Sequence, residues 1–61
     1  MPIHTEGRIA IITTSKKIYL LYFGPENEAQ RMQFLSDMIR YDEEQMAEKY
    51  KEFIIEKVDV P

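Results

Sequence analysis

The fold turns on residues 8–23, RIAIITTSKKIYLLYF. Arg8 to Thr14 and Ile18 to Phe23 are two runs rich in β-branched and aromatic residues, whose stiff or flat side chains suit a pleated surface. Only Ser15, Lys16 and Lys17 separate them, so the stretch predicts an antiparallel β-hairpin. The connection has no Gly or Asn to take up positive φ, which favours a four- or five-residue loop built on a type I turn over a tight primed turn. One register sets Ile12 opposite Tyr19 and Ala10 opposite Leu21, leaving Ile9, Ile11, Leu20 and Tyr22 on the other face. A slip changes the neighbours, but apolar side chains line both faces either way.

Outward from the hairpin, residues 1–6 are short and polar, with Pro2 near the end, and form a lead-in that either stays flexible or pairs with the sheet. Downstream, Gly24 and Pro25 stop the second strand, because Pro has no N–H for the ladder and its fixed φ suits a first helical turn. A helix follows, with Glu26 and Glu28 near its positive end and Asn27 with Gln30 spaced as a capping box. Ala29, Met32, Leu35, Met38 and Ile39 recur at helical spacing, with Phe34 to one side, and predict the buried stripe.

Beyond Tyr41 two readings compete. Asp42 with Gln45 has capping-box spacing and predicts a bend into a second helix. Met32, Ile39, Met46 and Phe53 instead repeat every seven residues, as in one long helix reaching Phe53, although half of the companion seam positions are polar. Residues 53–60, FIIEKVDV, favour a third strand over more helix, with Lys57 and Asp59 on the polar side of an edge.

The fold class is therefore α+β: an N-terminal antiparallel hairpin, one long or two consecutive helices and a C-terminal edge strand, in two layers and one domain spanning residues 1–61. A single helical layer covers one sheet face. The other, with Ile9, Ile11, Leu20 and Tyr22, needs a cover of its own. Either a bend at Asp42 sends the two helices to opposite faces and closes a monomer, or a second chain covers the free face.

Size weighs on that choice. For 7.3 kDa, scaling laws give roughly 10,600 Å² of unfolded and 4,200 Å² of folded surface. If about 60% of the difference is apolar, burial contributes roughly 95 kcal/mol against ordering costs of about 90. Small chains escape so thin a margin through disulfides, metals or association. There is no cysteine, and one histidine, His4, cannot build a Cys/His zinc site. Association is the expected route, as a homodimer.

No apolar run nears the roughly 18 residues of a membrane span, and no charged start leads into an apolar signal segment, so the expected location is cytoplasmic. A net charge of −3 weighs against a nucleic-acid surface.

Candidate functional residues are few, and each has a plainer alternative. Glu44, Glu48 and Glu52, spaced by four, would line one face of a continuous helix and dock on a second protein with a basic surface; the alternative is a solvated face. Arg8, Lys16, Lys17 and Tyr19 offer charge and stacking to nucleic acid, against a polar hairpin tip. His4 has no orienting group, Asp37 with Asp42 or Glu43 has no evident cleft, and Met32, Met38 and Met46 suit a core as well as a groove. No catalytic, cofactor or metal pattern emerges. The expected function is a small non-catalytic interaction or regulatory protein, with a nucleic-acid-binding module as the alternative.

Overall fold

The first strand lies in the short polar lead-in. In the computed structural model, which describes residues 2–61, β1 (Ile3–Glu6) pairs antiparallel with β2 (Ile9–Thr13), Glu6 opposite Ile9. Gly7 and Arg8 connect them, and Gly7 takes φ +60°, the conformation that opens a type II′ turn. The lead-in thus pairs with the sheet over residues 3–6. Its signal is faint because only Ile3 points into the core, while His4 and Glu6 alternate outward.

β3 (Lys17–Tyr22) pairs antiparallel with β2 in the expected register: Ile12 faces Tyr19 and Ala10 faces Leu21. Residues 14–17 lie between the last paired residues, Thr13 and Ile18. Buried Thr14 closes this loop without positive φ. Its Oγ1 accepts from the backbone N–H groups of Lys16 (3.2 Å) and Lys17 (2.9 Å) and donates to the Lys17 carbonyl.

β4 (Ile54–Asp59) is indeed a strand and completes an antiparallel sheet of order β1-β2-β3-β4. Its pairing with β3 steps from Leu20↔Glu56 to Leu21↔Ile54, so Ile55 is the extra residue of a bulge.

Between β3 and β4 the chain forms a 3-10 turn (Pro25–Asn27), α1 (Glu28–Asp37), α2 (Glu43–Lys49) and a second 3-10 turn (Lys51–Phe53). Two helices form, not one. Asp42 caps α2 with a complete box, its Oδ1 accepting from Gln45 N–H at 2.8 Å and Gln45 Oε1 from Asp42 N–H at 3.1 Å. The box expected at Asn27 is absent: Asn27 has φ −112° and ψ 32°, and its N–H donates to the Gly24 carbonyl within the 3-10 turn. An N-cap needs an extended backbone, which that turn does not provide.

One core holds the layers together. Ala10, Ile12 and Leu21 point from the sheet into a cluster with Phe23, Phe34, Met46, Ala47 and Tyr50. Phe23 is the hub, its ring centroid 5.4 Å from Phe34, 6.1 Å from Tyr50 and 4.7 Å from Phe53. Since Phe34 of α1 and Met46 of α2 share this cluster, both helices cover the same sheet face. The bend exists, but it does not send the helices to opposite sides.

The stripe expected of α1 is also corrected. The helix buries Phe34 and Asp37, and Met38 just beyond it packs against the core as expected, while Met32, Leu35 and, in the turn after the helix, Ile39 are exposed, Ile39 by 87%. At about 100° per residue, Met32 lies roughly 160° around the helix from Phe34. Asp37 can be buried because it is fully partnered: it accepts from Tyr50 Oη (2.7 Å) and Gln33 Nε2 (3.0 Å) and pairs with Lys49 Nζ at 2.7 Å.

Candidate interaction surface

The sheet has one covered and one open face. On the open side the strands align their side chains in three cross-strand rows, set by the register. The lowest is Glu6, Ile9, Tyr22. The middle row is His4, Ile11, Leu20, Glu56, and the highest is Thr13, Ile18, Val58. Ile9, Tyr22 and Val58 are 44–50% exposed and Ile18 is 37% exposed; Ile11 and Leu20 are half-buried only by their own neighbours. The result is an aliphatic and aromatic centre with polar groups at the two edges.

This openness does not come from loose folding. The accessible surface, 4325 Å², is close to the roughly 4,200 Å² expected of a compact chain of this mass. A compactly folded chain therefore still presents an apolar face that includes Ile9, Ile11, Leu20 and Tyr22. Spanning four strands at about 4.8 Å and some five residues at about 3.3 Å, the face measures roughly 300 Å² in projection. Patches of that order, rimmed by polar groups, mark interaction sites.

The acidic strip is broken by the fold. Glu44 and Glu48 share α2, but the helix ends at Lys49, and Glu52 sits in the following 3-10 turn. Glu48 pairs with Lys51 at 3.1 Å. Glu44, Glu48 and Lys51, but not Glu52, line an open groove of about 320 Å³ with Tyr19, Ala47, Ile54 and Lys57, carboxylates and ammonium groups mixed along it. A uniformly acidic docking surface needed the continuous helix.

The basic residues are separated as well. Arg8 lies in the β1–β2 turn, 3.5 Å from Glu28, whereas Lys16 and Lys17 sit at the opposite end of β2 and Lys17 is bridged to Asp59. Tyr19 is on the covered face, half-buried beside Lys57. These four residues do not share one surface. His4 stands on the open sheet face, and Asp42 is spent on capping.

What sequence reasoning missed is the clasp around Asp37. Lys49 and Tyr50, twelve and thirteen residues away, reach it only because the bend folds α2 back beside α1. Hydrogen bonds from Lys49 and then Tyr50 hold its carboxyl down at about 2. Burial, reinforced by that carboxylate, pushes the Tyr50 hydroxyl well above its ordinary range. Lys49 Nζ also lies 4.9 Å from the centre of the Tyr41 ring. With both carboxylate oxygens of Asp37 engaged by side chains of its own fold, the group is a structural clasp between helices.

No helix among the described residues is long and apolar enough to cross a membrane, and no three His, Asp or Glu side chains among them converge as a metal set. No protein-family model, curated protein or solved structure matches the chain at a significant level.

Proposed function

We propose that this chain is a non-catalytic interaction protein whose working surface is the open sheet face, and that it acts as a homodimer joined through that face. The observation behind this reading is the apolar centre of Ile9, Ile11, Ile18, Leu20, Tyr22 and Val58, left uncovered because both helices pack on the opposite side. A second copy offers the same apolar surface, and closed two-fold pairs are the commonest way to satisfy one. A projected area of some 300 Å² per copy is small among specific interfaces, so the dimer is expected in the micromolar range rather than as an obligate pair.

The test compares three proteins by sedimentation equilibrium, with folding followed by circular dichroism. Ile9→Lys with Ile18→Lys places two cations on the seam at exposed positions that the monomer fold tolerates. Ile39→Lys alters the other strongly exposed apolar side chain, in the turn after α1. The reading requires the first variant to be monomeric and the second to self-associate like the parent. The reverse pattern would move the interface to the turn after α1 and overturn it.

A further inference from the structure

Building on that dimer, we propose that the second copy lies across the open face with the two-fold axis parallel to the strands, so that His4 of each copy meets Glu56 of the other. The middle row of the face runs His4, Ile11, Leu20, Glu56, one residue from each strand in sheet order. It carries an imidazole at one edge and a carboxylate at the opposite edge.

Two simple face-to-face pairings exist, because the axis of such a pair lies in the plane between the sheets. An axis across the strands sets β1 on β1 and β4 on β4. Glu56 then faces Glu56 and His4 faces His4, with like groups opposed at both edges. An axis along the strands turns the row end for end: β1 lies over β4 of the second copy, Ile11 over Leu20, and His4 over Glu56. An imidazole N–H donates to a carboxylate in either protonation state, and the pairing forms twice by symmetry.

The rest of the face fits the same arrangement. Ile9 meets Tyr22 of the second copy in the lowest row, and Glu6 has no β4 residue above it, because β4 begins only at Ile54, so its carboxylate stays in water. The highest row sets Ile18 against Thr13. Packing sheets aligned to within about 30° keeps these neighbours within side-chain reach.

Within one chain, His4 and Glu56 are three strand spacings apart, about 14 Å, with two strands between them. Exposed charges at that distance are largely screened at physiological salt. Any strong energetic coupling between the two positions in dimerisation therefore arises across the seam.

A double-mutant cycle on the dissociation constant tests the arrangement, measured by sedimentation on proteins whose folding is verified by circular dichroism. His4→Glu sets two carboxylates opposite each other and is expected to weaken the dimer about tenfold; Glu56→Lys is expected to weaken it by a similar or smaller factor. Combining them restores opposite charges, and the dissociation constant returns to within about threefold of the parent. If the combined variant is as weak as the product of the single effects, the axis runs otherwise and this arrangement is overturned, while loss of association in Ile9→Lys with Ile18→Lys still upholds the sheet face as the seam. A parent protein monomeric at every concentration overturns both.

Discussion

Three residues do work that their neighbours cannot take over. Gly7 turns β1 into β2 at φ +60° with nothing within 4 Å of where a Cβ would stand, so the cost of a side chain there is purely conformational. Gly7→Ala is expected to cost about 1 kcal/mol in chemical denaturation, the usual penalty for an L-residue in the left-handed region. Tyr50→Phe keeps the ring in the aromatic cluster but removes the hydroxyl donor to Asp37, for an expected loss of about 1–3 kcal/mol. Asp37 itself gives stability a pH dependence of definite sign. Its carboxyl is held at about 2 in the fold against 3.8 for an ordinary Asp. The stabilisation is thus complete above the ordinary value and is lost as pH falls through about 2. A thermal melting series from pH 5 to pH 2 should fall less steeply in Asp37→Asn than in the parent, and an equal slope would contradict the clasp. None of this was legible locally: Gly7 looks like a tail boundary, and Asp37 like one carboxylate among many until α2 folds back.

At the scale of elements, legibility followed from how local the deciding chemistry was. The β2–β3 hairpin was readable because alternation and loop length both act within sixteen residues, while its register was one of several those residues allowed. The Asp42 box was readable because its two hydrogen bonds join residues three apart. β1 was faint because a strand at the sheet edge needs few apolar residues. The face of α1 was misjudged for a different reason. Its Met32 and Phe34 lie on nearly opposite sides, and the choice is made by partners elsewhere: Phe23, Tyr50 and Lys49. Substitutions separate the two faces clearly. Phe34→Ala is expected to cost about 3–5 kcal/mol and Met32→Ser less than about 0.5, as read by urea midpoints. Comparable losses would restore the aliphatic stripe as the core side. Asp42→Ala should cost about 1 kcal/mol through the lost cap.

For the whole molecule, the decisive point is that a bend in the helical segment did not close the sheet. The two-sided apolar hairpin visible in residues 8–23 folds with both helices on one side, and the opposite side keeps its aliphatic and aromatic residues in water. What remained hidden in the sequence was the order of the strands, since that depends on where β1 and β4 pair. Those strands place His4 and Glu56 at the two ends of one row and so give the surface its direction. In the proposed reading a second copy completes this surface.

Sedimentation equilibrium of the unmodified protein from about 1 μM to about 1 mM tests this most directly, because a micromolar dimer passes from mostly monomer to mostly dimer across that range. The weight-average mass should rise from 7.3 kDa towards twice that value. A single species at 7.3 kDa across the whole range would contradict the account.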